Sequence, residues 1–355
     1  MKIIFNFIYF ITVVIVPVII FEFYDHYFSN TEIEIDTTKL WESYTIEELD
    51  LNLSSFHPRS GKNCMQKIIP TWHHKIGFQD KKVNFECLKK HFTKNTFNIA
   101  FFGGSVMENT YYKNYLTSID WQIIKDNKNI HSINFAQSGS RLSNEFASFV
   151  IMLKHAKPDL AVFLDGANEF NSIKYNGGEP EEDFYWSVWA KKKFDNPIKI
   201  YLDKMIEKSA TARVILIKLF GYKPSNHIQN KKINKNTILD AANDYLHYKK
   251  IIENICEANA INCLFFLQPM IYTTIIDDEL TSKLKSKFSK YYPNNNDIYN
   301  IGYAKILEKE NIIDLSDALS NIKYAFLDEM HVNKNGSFII SREMKKKINK
   351  LINQN

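Results

Sequence analysis

The chain has 355 residues, with 45 Lys and Arg against 40 Asp and Glu, and its net charge of +5 is spread out rather than gathered into a stripe. That balance leaves no footprint for nucleic acid, and the run Lys345-Lys346-Lys347 falls in an amphipathic carboxyl-terminal stretch, where it reads as a solvated helix face. The length suits one α/β domain with insertions better than several domains.

Residues 3–21 are almost uninterruptedly apolar, broken only by Asn6, Thr12 and Pro17, about the length needed to cross a bilayer as a helix. The segment runs straight into Glu22-Phe23-Tyr24-Asp25 without a small-residue cleavage site. Residues 1–22 are therefore expected to form an uncleaved membrane anchor. Lys2 precedes the span while Glu22 and Asp25 follow it. The positive-inside tendency then makes the chain a single-pass protein of the cytoplasmic membrane, with its body on the extracytoplasmic side. Residues 23–94 read as a juxtamembrane stalk and lead-in, and 95–355 as the main domain.

From there the pattern alternates. Strands are predicted at 97–102, 130–135 and 159–164, with helices near 111–126 and 141–156 between them, and that succession argues for a parallel sheet. A helix over 237–258 feeds a fourth strand at 263–267, a fifth follows at 312–315, and a helix at 336–352 closes the pattern. The expected fold is a three-layer α/β/α sandwich around a five-stranded parallel sheet of flavodoxin-like order, in addition to the transmembrane helix. An insertion at 171–236 carries the aromatic cluster Phe184, Tyr185, Trp186 and Trp189. These rings suit either a sugar-stacking surface, with Trp186 and Trp189 as substrate contacts, or a satellite core. A second excursion, 271–298, carries Tyr272, Tyr291 and Tyr292 toward the same mouth. Cys64, Cys87, Cys256 and Cys263 fall as two near pairs, and the spacing leaves bridged and free forms open.

Four short pieces carry candidate chemistry: Ser105 in FFGGSV, Gly139 in NFAQSGS, Gly166 and Asn168 in DGANEF, and Asp328 with His331 in DEMH. The first three pieces each follow an apolar strand, and open α/β sheets bind ligands beyond the carboxyl edge of such strands. A serine hydroxyl needs an adjacent base, and the base needs a third group to hold its tautomer. Asp328 and His331, three residues apart, share a face of a helical or turn-like segment and supply both. Asn168 and a glycine N–H are suitable donors to a developing oxyanion. A nucleotide site is disfavoured, because neither G-x-G-x-x-G nor G-x-x-x-x-G-K-[ST] occurs. No metal is expected either, since His57, His73 and His74 lack ligand spacing and no H-E-x-x-H or paired C-x-x-C is present.

These blocks together resemble those of the SGNH (GDSL-like) hydrolase superfamily, over roughly residues 95–345. The resemblance implies Ser105, Asp328 and His331 as the catalytic triad, with Ser105, Gly139 and Asn168 forming the oxyanion hole. The serine lies in GGSV rather than a GDS core, Glu169 stands where many members have Asp, and Ala136 where glycine is frequent. Taken with the apolar amino terminus, the resemblance implies an exported, membrane-anchored esterase, needing no cofactor, that cleaves O-acyl and above all O-acetyl esters on glycans. The same residues would serve a polysaccharide O-acyltransferase, and a catalytically silent glycan-binding or assembly protein is the alternative outside enzymes.

Overall fold

The computed structural model describes residues 65–73, 77–83, 85–108, 118–175, 233–291 and 294–353, with Leu202, Leu216, Ile217 and Gly221 as isolated positions. The expected anchor at 1–22, and Trp186 and Trp189, lie outside these residues. Among the described residues no helix is long and apolar enough to cross a membrane. Contacts divide the chain into two units, Met1–Leu51 with Ala190–Gln229 and Asn52–Trp189 with Asn230–Asn355. Every element below belongs to the second.

An antiparallel pair opens it, β1 (Met65–His73) with β2 (Gly77–Val83), in its own two-stranded sheet. The sequence assigned no element here, because β2 reads GFQDKKV and lacks the apolar run that marks a core strand. Helix α1 (Phe85–His91) then leads into the main sheet, formed by β3 (Phe97–Gly103), β4 (Ile130–Asn134), β5 (Leu160–Asp165), β6 (Asn262–Leu267) and β7 (Ile312–Asp314). All pairings are parallel, and the spatial order is β4-β3-β5-β6-β7. That is the flavodoxin-like order the alternation predicts, with the switch point between β3 and β5.

Every residue of β5 is buried, as is all of β3 except its first, so the central strands are covered on both faces. Two helical groups do the covering: α3 (Ile119–Ile124) packs with α9 (Lys334–Ile352), and α6 (Lys235–Ala258) packs with α4 (Leu142–Leu153), α5 (Ala167–Tyr175) and α8 (Asn295–Leu307). An aromatic row crosses the sheet at matched register. Phe102, Phe163 and Phe265 stack with centroids 4.9 Å apart at each step, and Phe149 of α4 meets Phe102 and Phe163 edge-on at 5.7 and 5.9 Å. Each such pair contributes roughly 0.5–1.5 kcal/mol beyond its buried area. The row ties together β3, β5 and β6, the first two of which lead into loops with candidate residues.

The 271–298 excursion differs from expectation. It contains α7 (Glu279–Tyr291) and the start of α8, and Tyr272 is buried, stacked on Tyr299 with centroids 5.5 Å apart and rings 6° from parallel. The first residues of the 171–236 segment continue α5, which runs to Tyr175. Cys256 and Cys263 form a disulfide across the turn from α6 to β6, with Cα atoms 6.3 Å apart; Cys87 is disulfide-bonded as well.

Close approach fixes one glycine in this frame. A Cβ on Gly302 of α8 would lie 2.2 Å from two atoms of the Phe170 ring. Gly302→Ala is expected to lower unfolding free energy by about 1–3 kcal/mol through overpacking, measured by urea denaturation. A stability equal to that of the parent would show that the α5–α8 contact yields.

Candidate active site

Parallel strands finish at one edge, and three of the predicted pieces are loops leaving β3, β4 and β5 there. Ser105 opens the short helix α2 (Ser105–Glu108) directly after β3, and is 8% exposed. Its Oγ lies 2.6 Å from Nε2 of His331, 226 positions away in the chain. On the other side of the ring, His331 Nδ1 lies 2.6 Å from Asp328 Oδ2. With the carboxylate as acceptor, Nδ1 carries the proton and Nε2 accepts from the serine hydroxyl. The predicted triad is thus assembled, and it follows the nucleophile, base and orienter arrangement.

The DEMH piece is a tight turn rather than a helical one. Asp328 Oδ1 accepts the backbone N–H groups of Met330 and His331 at 2.9 and 2.8 Å, the Leu327 N–H donates to His331 O at 2.8 Å, and Phe326 bridges to Val332. Just beyond, Asn333 caps α9 by accepting from Gly336 N–H, which anchors the end of the loop. Burial alone would raise the pKa of Asp328. The hydrogen bond and charge of His331, with the two backbone N–H groups, outweigh it and hold the carboxyl below its ordinary value. An ionised Asp328 is what the tautomer argument requires.

Asn168, at the start of α5, points its amide at the nucleophile's strand exit. A Cβ on Gly104 would lie 2.3 Å from Asn168 Nδ2, which donates to Ser140 O at 2.8 Å. One N–H of that amide therefore holds the β4 loop, and the second remains for an oxyanion. Gly139, with φ 75°, is in the left-handed region that glycine adopts without strain. Its N–H donates to no group among the described residues. The structure thus brings Ser105, Gly139, Asn168, Asp328 and His331 to one edge, while Gly166 shapes the β5 turn at φ 115° with its N–H bonded to Glu169.

Side chains outside the predicted set hold these loops together. Glu108 Oε2 accepts from the backbone N–H and the hydroxyl of Ser138 at 2.6 and 2.7 Å, tying the Ser105 helix to the Gly139 loop. Glu169 accepts from Leu142 N–H at 2.8 Å and Gly166 N–H at 3.2 Å, tying that loop to the β5 turn. Sequence reading missed both. The only signal was a carboxylate within three residues of each proposed functional position, which is common on surfaces.

Glu169 also joins a buried carboxyl cluster with Glu145 of α4 and Asp165 of β5, none of them more than 5% exposed. Burial first, then the charge of Asp165 on Glu145 and of Glu169 on Asp165, raises Glu145 and Asp165 well above the carboxylate range. Burial raises Glu169 too, opposed by the N–H groups of Leu142 and Gly166 and by the charge of Arg141. Neither oxygen of Glu145 has a hydrogen-bond partner among the described residues, which leaves burial to favour its protonated form. Among the described residues, no group of three His, Cys, Asp or Glu is disposed to hold a metal ion.

No family model and no curated protein sequence matches the chain. Among solved structures it is similar to a member of the lipolytic protein G-D-S-L family from Veillonella parvula DSM 2008, at 10% identity over 69% of this chain and 94% of that one, with a TM-score of 0.35. A GDSL-like lipase from Bacteroides thetaiotaomicron VPI-5482 gives 13% identity, 75% and 96% coverage and a TM-score of 0.35. An acetyl xylan esterase gives 14%, 71% and 99%, with a TM-score of 0.32.

Two outcomes follow from the geometry. Gly104→Ala places a methyl group on the Asn168 amide, and is expected to cut turnover of an activated ester by about 10²-fold, the scale of losing one oxyanion donor, with the Ser105–His331 pair left in place. Undiminished turnover would remove Asn168 from the hole. The second concerns pH. Carboxyls whose pKa rises on folding stabilise most below their unfolded values, and that contribution is lost as pH rises through the folded values. Asp328 runs oppositely, its contribution being lost as pH falls through its lowered value. Glu145→Gln is therefore expected to shrink the fall in Tm between about pH 5.5 and about pH 8.5, read by calorimetry; an unchanged fall would mean that the cluster does not titrate there.

Proposed function

We propose that the chain is a serine carboxylic-ester hydrolase of the SGNH type. The observation that carries this reading is the unbroken relay from Ser105 Oγ through both nitrogens of His331 to Asp328, with contacts of 2.6 Å on either side of the ring. Asn168 adjoins the nucleophile. In this mechanism Ser105 attacks the ester carbonyl while His331 Nε2 takes its proton, and Asp328 stabilises the imidazolium. The tetrahedral oxyanion receives the N–H groups of Ser105 and Gly139 and the free N–H of Asn168, each worth roughly 10²–10³ in rate. His331 then protonates the departing alcohol, and water, activated by the same base, releases the acid from the acyl-serine.

The substrate we propose is an O-acyl, chiefly O-acetyl, ester on a glycan, met outside the cytoplasmic membrane by an enzyme held there through residues 1–22. Support comes from the sequence of the insertion. Glu179, Glu181, Glu182, Asp183 and Lys191-Lys192-Lys193 surround Trp186 and Trp189. Such charges are costly to desolvate in an apolar groove, and a hydrated saccharide site tolerates them.

Ser105→Ala and His331→Ala are expected to abolish hydrolysis of p-nitrophenyl acetate without lowering Tm. Asp328→Asn should lose roughly 10³–10⁴-fold, since the amide favours the wrong tautomer. Wild-type turnover in Ser105→Ala would end the proposal. Trp186→Ala and Trp189→Ala, compared on that ester and on an acetylated oligosaccharide, test the substrate: selective loss on the oligosaccharide supports a glycan, and equal loss on both rejects it.

A further inference from the structure

The two residues between Asp328 and His331 are gripped by the helix that carries Asn168. Lys174, near the end of α5, is buried with its side chain 0% exposed, and its Nζ donates to Glu329 Oε1 at 2.7 Å, a carboxylate itself 4% exposed. The same ammonium donates to Tyr299 Oη at 3.1 Å, and Tyr299 in turn donates to Asn171 Oδ1 at 2.6 Å. Asn171, one turn before Lys174 on α5, donates from Nδ2 to Met330 Sδ at 3.2 Å. Glu329 is held on two further sides, by Asn295 Nδ2 at 3.4 Å and through its carbonyl by Ile271 N–H at 3.0 Å.

We propose that Lys174 and Glu329, with Asn171 on Met330, are positioning residues that set the His331–Asp328 pair at a fixed distance from Asn168 and Ser105. This rests on the serine-hydrolase reading of the site. The base arrives on a loop more than two hundred residues from the nucleophile, and no strand of the main sheet pairs with that loop to set its height. Helix α5 is a rigid reference, because Asn168 at its start is already fixed against Ser140 and Gly104. Anchoring Glu329 and Met330 to the same helix makes one body of the oxyanion donor and the base. A buried ion pair is a poor source of stability, since desolvation offsets the attraction. Its directional contacts instead define a geometry, and a displacement of about 1 Å at a reacting centre costs on the order of 10²-fold in rate.

Removing one partner strands a buried charge, so single neutral variants confuse folding with positioning. Two others separate them. Glu329→Asp keeps the charges and shortens the link by one methylene, and Lys174→Met with Glu329→Gln removes both charges at similar volume. In the purified full chain, both are expected to melt within a few degrees of the parent, yet to lose at least tenfold in kcat on p-nitrophenyl acetate and in the rate of fluorophosphonate attack on Ser105, with KM unchanged. Asn171→Ala should show the same split with a smaller loss. Folded variants with parental kcat and labelling rate would overturn the inference and leave the pair purely structural. If the double variant fails to fold, Glu329→Asp decides alone, parental rates refuting and a selective kcat loss supporting the proposal. A parent that neither labels nor turns over would instead refute the serine-hydrolase reading, and this inference with it.

Discussion

A parallel sheet brings its loops to one edge but does not align them. Beyond the strands the regular ladder gives way to single backbone bonds, such as Gln137 N–H to Gly103 O and Ile271 N–H to Glu329 O, and the candidate catalytic atoms lie in these turns, so side chains add the further ties between neighbouring turns. Here buried and half-buried side chains supply them in sequence around the edge: Glu108 to Ser138, Asn168 to Ser140, Glu169 to Leu142 and Gly166, and Lys174 to Glu329. Ser105 and His331 meet at 2.6 Å within the edge that this series surrounds. Most of these links end on backbone N–H or carbonyl groups, which fixes loop position independently of neighbouring rotamers.

The electrostatics of the edge are divided. Asp328, held by His331 and two backbone N–H groups, stays ionised below the ordinary carboxylate range. A short way into the core, Glu145 and Asp165 are pushed well above it, first by burial and then by a neighbouring carboxylate, Asp165 acting on Glu145 and Glu169 on Asp165. Asp328 therefore faces a partially open site, with a side chain 26% exposed, while burial favours the protonated form of the carboxyls under the β5 turn. The same residue type serves both purposes because environment, and not identity, sets the charge.

Much of the sheet was legible in the sequence, since FNIAFF, LAVFLD and NCLFFL are apolar runs bounded by turns, the pattern that fully buried parallel strands require. The sequence also singled out Ser105, Asp328 and His331, which the fold brings into hydrogen-bond contact, and Asn168, which it sets beside Gly104, because the proposed chemistry restricts residue type and the strands restrict position. What stayed hidden has a physical reason. The β1–β2 pair carries no apolar period, and α8 begins within the run from Tyr291 to Asn296, whose Tyr, Pro and Asn content reads as loop. Lys174 and Glu329 look like ordinary surface charges until the fold buries both. Nothing in a single sequence distinguishes a lysine that faces water from one that faces a glutamate across a core.

The central claim is that Ser105 is activated by His331 through this assembled edge. The most direct measurement is mass spectrometry of the purified chain after reaction with a fluorophosphonate. A single adduct is expected, on the peptide containing Ser105, formed at a rate that collapses in His331→Ala. An adduct elsewhere, or one on Ser105 whose rate is indifferent to His331, would contradict the account.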